Sequence, residues 1–274
     1  RPKQSGIGIH FSHFAWHFFA YQPLEHGFNY WKLYSDVYRP MNELHFRPDV
    51  IDPESPLDSY KLIVSFFLPA LDEAGLRQRI KKWIENGGAW VVGPFTDIRT
   101  LDSTKFKHAP FGSLEEWGGV HCKYEVPGNR EFSILFPDAT ETKGSLCYNG
   151  FETRGAEALA SYTEYPLEGL AAITRNKMGK GQIIILGTLL KDSDWKNFIR
   201  NIAGEIGIEP VVEASPNVLA IPRQGKDQEG LAVFEIECKP GSVQLPKPGT
   251  DILSGKKYEG FLELAPYQML ILKY

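Results

Sequence analysis

The stretch from Tyr60 to Phe95 reads YKLIVSFFLPALDEAGLRQRIKKWIENGGAWVVGPF, and its pattern decides the expected fold. Leu62 to Leu68 is a short, nearly unbroken apolar run, which predicts a strand that is buried on both faces. Ala89 to Val92 predicts a second buried strand, which ends at Gly93 and Pro94. Two successive parallel strands need a crossover connection, so we look for a helix between them.

The segment between these two strands has the pattern of an amphipathic helix. Asp72 can offer a side-chain oxygen to the free N–H groups of the first turn. Gly87 and Gly88 can end the helix, because glycine accepts the left-handed conformation. The apolar face consists of Leu76, Ile80, Trp83 and Ile84. A strand, a helix and a strand in this order form a βαβ unit, so we expect an α/β fold with an open, mostly parallel sheet and helices on both faces.

The composition is that of an ordinary globular protein. The chain has 274 residues, of which 42% are apolar, and this length fits one large domain or two unequal ones. The net charge is −4 and no basic stripe occurs, so we expect no nucleic-acid partner. No apolar run approaches the ~18 residues of a membrane span, so we expect no membrane partner either.

Cysteine usage and the first residues bear on the cellular context. Cys122, Cys147 and Cys238 are widely spaced and form neither a disulfide framework nor a zinc pattern. No asparagine begins an N-x-Ser/Thr sequon. These features are typical of a reducing compartment, and we expect a cytoplasmic, bacterial protein. The chain opens RPKQSG, without Met or a signal-peptide apolar segment, so we expect it to be a piece of a longer protein.

The remaining sequence divides into a long loop, a second α/β part and a β-rich end. Thr96 to Gly119 is mostly polar, and its length favours a functional or interface loop. Leu170 to Thr174 and Gln182 to Leu186 predict a hairpin, and the helix that follows ends at Gly207. After that helix, short strands separated by Gly, Pro and Asp predict a small all-β module. We therefore expect domains at 1–214 and 217–274.

Aromatic residues crowd the N-terminal part of the chain. Eleven Phe, Trp or Tyr residues lie between Phe11 and Tyr38. One buried helix face cannot accommodate them all, so some should lie at a subunit interface or in a sugar-binding cleft. Both interpretations stay open from the sequence. The candidates for substrate or interface contact are Trp16, Phe18, Phe19, Tyr21, Tyr30 and Trp31.

The motifs for cofactors and metals are weak. Gly6-x-Gly8 lacks the third glycine of a dinucleotide fingerprint, and Gly179-Lys180-Gly181 fits a hairpin turn better than a phosphate loop. His13 and His17 are four residues apart and could present two metal ligands, but the stretch does not read clearly as helix and lacks a third ligand. We therefore predict no cofactor and no metal site.

Catalytic residues are equally hard to assign. A sheet of this kind hosts hydrolases with a nucleophile on a tight turn after a strand, yet the turn after Val92 carries no cysteine. Glycosidase chemistry needs two opposed carboxylates. The acidic candidates are Glu25, Asp97, Asp102 and Glu152, and nothing in their spacing raises one above an ordinary surface charge. We predict no catalytic residue in this chain.

A series of segments carries a family resemblance. FAYQPLE, NYWKLYSDVYRPMNEL, YKLIVSFFLPALDE and IKKWIENGGAWVVGP occur in this order, followed by APFGSLEEWGGV and AAITRNKMGKGQIIILGTLL. Together they resemble the middle domain of glycoside hydrolase family 42 β-galactosidases. DILSGKKYEGFLELAPYQMLIL resembles that family's small C-terminal β domain. The match covers nearly the whole chain.

The resemblance implies a particular architecture. It implies a flavodoxin-like or class I glutamine amidotransferase-like α/β unit that holds a homotrimer together, followed by a small β domain. The family's catalytic glutamates and metal-binding cysteines belong to a barrel that precedes this part, so none is assigned to a position here. Residues Thr96 to Lys107 depart from the family's usual Arg-Thr-Gly-type turn and acidic stretch, which leaves the role of this loop open.

These observations support one leading hypothesis and two alternatives. The leading hypothesis is the non-catalytic assembly part of a β-galactosidase. Its expected partners are copies of itself, the catalytic barrel of the same polypeptide, and a β-galactoside near that barrel. The alternatives are a carbohydrate-binding module that uses the N-terminal aromatic residues, or a stand-alone amidotransferase-like hydrolase.

Overall fold

A computed structural model describes residues 1–24, 28–107, 109–128 and 130–274. The chain forms two compact units. The large unit comprises Gly6–Val37 and Val50–Phe198, and the small unit comprises Arg1–Ser5, Tyr38–Asp49 and Ile199–Tyr274. The domain boundaries at 1–214 and 217–274 stay a prediction.

The described part of the chain contains five α-helices and many short strands. The helices are α1 His13–Tyr21, α2 Tyr30–Glu43, α3 Leu76–Glu85, α4 Ser113–Gly118 and α5 Asp192–Glu205. The strands are β1 Ile7–His10, β2 Asp49–Ile51, β3 Leu62–Ser65, β4 Ala89–Val92, β5 Val120–Pro127, β6 Phe132–Leu135, β7 Glu141–Ser145, β8 Cys147–Thr153, β9 Glu157–Tyr162, β10 Ala171–Met178, β11 Gly181–Leu186, β12 Leu189–Leu190, β13 Glu213–Ala214, β14 Val218–Gln224, β15 Glu229–Glu235, β16 Gly241–Gln244, β17 Gly249–Asp251, β18 Lys257–Tyr258, β19 Phe261–Leu264 and β20 Met269–Lys273.

The parallel strands lie at one side of the large sheet. β3 pairs in parallel with both β1 and β4, and β4 pairs in parallel with β11. In the β3–β4 pair, Leu62 lies opposite Ala89, so the parallel pairing predicted for these two strands is confirmed. Every residue of β1, β3 and β4 is buried, which explains their continuous apolar sequences.

Two local details of the βαβ unit differ from the prediction. β3 ends at Ser65, because Phe67 adopts a positive φ of 57° and the chain leaves the sheet. Asp72 does not cap α3, since a 3₁₀ turn at Glu73–Gly75 comes first and the helix begins after Gly75 in the left-handed conformation. The Asp72 carboxylate instead accepts a hydrogen bond from Arg77 Nε at 2.8 Å.

The expected flavodoxin-like or amidotransferase-like open sheet with helices on both faces is wrong. The strand order is β12-β7-β6-β9-β10-β11-β4-β3-β1-β2; β8 also pairs with β10, and β5 pairs with β8. The strands from β5 to β10 and β12 pair antiparallel, so the sheet is mixed. Helix accounts for 21% and strand for 35% of the structure. Short turns join β6 to β7 and β10 to β11, and a tight turn permits only antiparallel pairing. The antiparallel pairs β5–β8, β8–β10 and β6–β9 join strands that are not successive in the chain.

The β10–β11 hairpin illustrates such a turn. Gly179 has a φ of 60°, and a Cβ there would lie 2.6 Å from the Glu85 carbonyl oxygen. Glycine is therefore required both by conformation and by the close approach of the backbone. The hairpin predicted around this turn is confirmed, with Met178 opposite Gly181.

The long segment predicted as a loop is anchored by a buried ion pair. Arg77 Nη2 donates to Asp97 Oδ1 at 2.8 Å, and Arg77 Nη1 donates to Asp97 Oδ2 at 2.9 Å. The N–H of Ser113 donates to the same Asp97 Oδ2 at 2.8 Å. These bonds fix both ends of the segment, and its C-terminal part forms α4 rather than loop.

The small unit contains two antiparallel sheets around one core. The sheet orders are β14-β15-β20-β17-β18 and β13-β16-β19. The buried core residues are Val212, Val218, Ala220, Leu231, Val233, Val243, Leu245, Leu264, Leu270 and Leu272. Alternate residues along each strand enter this core, as the period-2 pattern of the sequence predicts.

Candidate functional site

The candidate site begins where β1 passes into α1. Ser12 caps α1, since its Oγ accepts a hydrogen bond from Ala15 N at 3.0 Å. The Ser12 hydroxyl donates to Glu73 Oε2 at 2.7 Å, and Ser12 N donates to Tyr30 Oη at 3.4 Å. These bonds tie the starts of α1 and α2 together, so the aromatic residues of the two helices share one region.

Three of the six predicted residues lie in the interior. Phe18, Phe19 and Tyr30 are all buried. The Phe19 ring stacks on Phe28 with centroids 4.5 Å apart and lies 6.0 Å from the Phe95 ring. Burial raises the pKa of the Tyr30 hydroxyl well above its usual range, and the nearby Glu73 carboxylate acts in the same direction. These residues hold α1 and α2 against the sheet.

The other three predicted residues are exposed. The exposed fractions are 36% for Trp16, 52% for Trp31 and 86% for Tyr21. The Trp16 and Trp31 rings meet edge to face, with centroids 5.6 Å apart. We call the surface formed by Trp16 and Trp31 the aromatic surface; Tyr21 is exposed at the C-terminal end of α1. A contiguous patch of exposed aromatic side chains can mark a binding surface.

Phe11 supports the aromatic surface from below, and the sequence analysis did not select it. Its ring stacks on Trp31 at a centroid distance of 5.0 Å and an interplanar angle of 29°. It also meets Tyr34 edge to face at 5.5 Å. One face of Trp31 is therefore held by packing before any partner binds. The sequence signals for Phe11 were its place in the aromatic-rich stretch and its position immediately after a buried strand.

The two histidines of α1 are aromatic neighbours of this surface. The stretch is helical, contrary to our expectation, so His13 and His17 lie one turn apart. The His13 ring meets Phe11 edge to face at 5.3 Å, and the His17 ring stacks against Trp16 at 5.1 Å. Across the residues that the structure describes, no group of three metal-ligating side chains forms.

A buried serine–histidine contact is a feature that the sequence analysis missed. His10 Nδ1 lies 2.7 Å from Ser65 Oγ, and Trp90 Nε1 donates to the same oxygen at 2.8 Å. Burial, together with the smaller effect of the Arg79 charge, lowers the pKa of His10 to about 3. Both residues are buried and have no access to a substrate, so the contact serves packing.

The other residues with possible chemistry are held in structural roles. Burial raises the pKa of the Cys122 and Cys147 thiols well above their usual range, which disfavours the reactive thiolate. Among the carboxylate candidates, Asp97 is buried against Arg77, and Glu152 pairs with Lys123 at 2.7 Å. Asp102 is exposed. Glu25 lies outside the described residues.

Comparison with known proteins identifies the family. A sequence model of the β-galactosidase trimerisation domain, from glycoside hydrolase family 42, matches residues 5–209. The chain belongs to this family. The resemblance found in the sequence segments is thereby confirmed.

Relatives of this trimerisation-domain family match along the whole chain. The β-galactosidase YesZ of Bacillus licheniformis is 30% identical over 99% of this chain and 41% of the relative. The β-galactosidase YesZ of Bacillus subtilis is 26% identical over 100% of this chain and 42% of the relative. This chain thus spans about two fifths of the length of the curated relatives that it matches.

Solved structures of β-galactosidases share the fold. The β-galactosidase from Bacillus circulans sp. alkalophilus superposes with a TM-score of 0.92 at 18% identity, covering 98% of this chain and 41% of that chain. Gan42B, a GH42 β-galactosidase, superposes with a TM-score of 0.88 at 19% identity, covering 99% of this chain and 40% of that chain. At these identities the comparison concerns the fold alone. None of the helices in the described ranges has the length and apolar character needed to cross a bilayer.

Proposed function

We propose that this chain is the assembly part of a β-galactosidase and that it forms a homotrimer through the aromatic surface of α1 and α2. The observation that carries the proposal is the exposure of Trp16 and Trp31 in a member of the trimerisation domain family. Aromatic side chains supply large contact area at protein interfaces. Because Phe11 already orders Trp31, burial of that ring by a partner loses little side-chain entropy.

In this proposal, hydrolysis of β-galactosides belongs to a catalytic part of the same polypeptide. The relatives named above are β-galactosidases, and more than half of their length lies outside the matched region. This chain's own Ser65, Cys122 and Cys147 are buried and occupied in packing. Its role is therefore to bring the catalytic parts together.

We further propose a cytoplasmic location for this bacterial-type enzyme. Cys122 and Cys147 are free thiols in the interior, and Cys238 is a free thiol at the surface. Free thiols persist in a reducing compartment and are oxidised elsewhere. Thiol labelling of the protein in intact cells tests this part of the proposal. A Cys238 that reacts with the thiol reagent only after reduction would contradict it.

A second role for the aromatic surface is the stacking of a sugar ring. Phe11 covers one face of Trp31, and the remaining face could meet a pyranose. Self-assembly is the stronger proposal because Trp16 and Trp31 lie on a helix pair of the trimerisation domain itself.

The test combines three readings on one sample of the chain. Light scattering measures the mass, a chromogenic galactoside measures hydrolysis, and titration with galactose measures quenching of tryptophan fluorescence. We expect three times the monomer mass of 30.9 kDa, no hydrolysis and no saturable quenching. A monomer with saturable quenching would replace the assembly role with sugar binding, and hydrolysis that follows the protein peak would overturn the non-catalytic assignment.

A further inference from the structure

The five-stranded sheet of the small unit is apolar on both faces, and this property follows from its register. In the first apolar row, Leu219 lies opposite Phe234, and Phe234 lies opposite Met269. The residues between them along each strand, such as Val233 and Leu270, enter the core of the unit. Since side chains alternate across a sheet, the Leu219–Phe234–Met269 row faces away from that core.

A second apolar row lies beside the first on the same outward side. Ile221 lies opposite Ala232, and Ala232 lies opposite Ile271. Ile252 continues this row, because its N–H donates to the Ile271 carbonyl at 2.9 Å, and 60% of it is exposed. An antiparallel sheet with one free side normally carries polar residues there. We call the two rows, Leu219–Phe234–Met269 and Ile221–Ala232–Ile271, the outer face.

A cationic row borders the outer face on one side. Arg223 lies opposite Gly230, and Gly230 lies opposite Lys273. Lys273 and Lys257 then flank Thr250 on the neighbouring strands. These positions lie on the same side of the sheet as the outer face, so three cations, Arg223, Lys273 and Lys257, stand at the margin of an apolar centre.

We propose that the outer face is the docking surface for the catalytic part of the same β-galactosidase polypeptide, which presents an apolar patch with carboxylates at its margin. This inference rests on the proposed function, because it assumes that such a catalytic part is attached. The relatives supply that expectation, since the matched region is 41% of the Bacillus licheniformis enzyme.

The size of the outer face favours an attached domain over a second copy of the chain. With strands ~4.8 Å apart and same-face residues ~7 Å apart, each position covers roughly 34 Å², so the outer face, Ile252 and the cationic row together cover roughly 400 Å². Two copies face to face would bury roughly 800 Å² in total, which is below the ~1,200 Å² of a stable interface between separate proteins. The same area lies within the ~600–1,500 Å² of interfaces between domains of one chain. A tethered domain needs less area because its effective concentration is already high.

The first residues line one edge of this sheet. Lys3 N donates to Pro222 O at 2.9 Å, and Gln224 N donates to Arg1 O at 2.9 Å. The segment therefore pairs with the edge of β14, next to Arg223 of the cationic row.

The test is the labelling rate of a cysteine placed on the outer face. The test variant is M269C, because Met269 lies on the outer face and is 46% exposed. The matched control is F261C, because Phe261 lies on the other sheet of the small unit and is 62% exposed. Both variants carry C238S, which removes the exposed native thiol. N-ethylmaleimide labelling is followed by mass spectrometry in the 274-residue chain and in the polypeptide that joins it to the catalytic part.

We expect M269C to react at least about tenfold more slowly in the joined polypeptide, while F261C reacts alike in both, because a docked domain protects only the surface that it covers. Equal M269C rates would overturn the inference. Protection that appears in the 274-residue chain alone and grows with concentration would also overturn it, since a second copy would then be the occupant. Light scattering on the same samples reports trimer formation, so failure of the assembly proposal is read separately.

Discussion

Replacement of Trp31 by alanine tests the assembly role of the aromatic surface. Trp31 has 52% of its surface exposed, and the hidden face is held by Phe11 at a centroid distance of 5.0 Å. The substitution removes the exposed contact area, while Ser12 still caps α1 and Asn29 Oδ1 still accepts a hydrogen bond from Lys32 N at 3.0 Å at the start of α2. We expect W31A to fold normally and to assemble weakly.

The expected magnitude follows from the exposed area. A tryptophan side chain offers ~250 Å², of which roughly half is available on Trp31. At ~25 cal/mol per Å², loss of that burial costs about 3 kcal/mol for each subunit contact. Each contact should then weaken roughly 100-fold.

Sedimentation over a dilution series measures this loss. The matched control is Y124A, because Tyr124 lies on β5 of the same unit and is 40% exposed. The control should dissociate at the same concentration as the unmodified chain, and W31A at a much higher one. Coincident curves for W31A and the unmodified chain, with unchanged circular dichroism, would refute the assignment of Trp31 to the interface.

Three further predictions concern stability. R77M should lower the free energy of unfolding by about 3–5 kcal/mol, because the buried Asp97 carboxylate loses its partner. The control K82M, on the exposed side of α3, should change this free energy by under ~0.5 kcal/mol. Equal losses for the two variants in urea titrations would contradict the prediction. The pKa of His10 is lowered to about 3 in the folded state, so its contribution to stability is complete above about pH 6.5 and is lost as the pH falls toward 3, at up to ~1.4 kcal/mol per pH unit. The H10N variant should therefore show a flatter acid side of the curve of stability against pH. An unchanged slope would count against the buried neutral imidazole. G204A should stabilise α5 by about 0.5 kcal/mol, since an added Cβ meets no atom within 4 Å, and a lower melting temperature would argue against an open site there.

The local pattern of the sequence was sufficient for the parallel strands and insufficient for the rest of the sheet. Leu62 and Ala89 lie in short apolar runs on either side of one helix, and a crossover allows only parallel pairing. The pairing of β9 with β6, by contrast, joins Ile134 to Tyr162 across intervening strands. Nothing in either strand alone encodes that partner, so the extension of the sheet was mistaken for further α/β structure.

The sequence predicted where the aromatic residues cluster, but not which of them are buried and which are exposed. The density of aromatic residues located the region, yet Phe18 is buried and Trp16 is exposed although they are two residues apart on α1. Which side of α1 faces inward depends on the α2 contacts, such as the edge-to-face contact of Trp16 with Trp31. The His10–Ser65 contact was invisible for the same reason, because it joins two strands that are 55 residues apart.

The most direct test of the account is hydroxyl-radical footprinting of Trp31 and Trp16 in the assembled and the diluted chain. Oxidation of each tryptophan is read by mass spectrometry, with the exposed Tyr165 as an internal reference in the same unit. The account predicts that Trp31 is protected in the assembled sample and reactive after dilution, while Tyr165 is oxidised equally in both. Equal oxidation of Trp31 in a sample that light scattering shows to be assembled would contradict the account, because the subunits would then meet elsewhere.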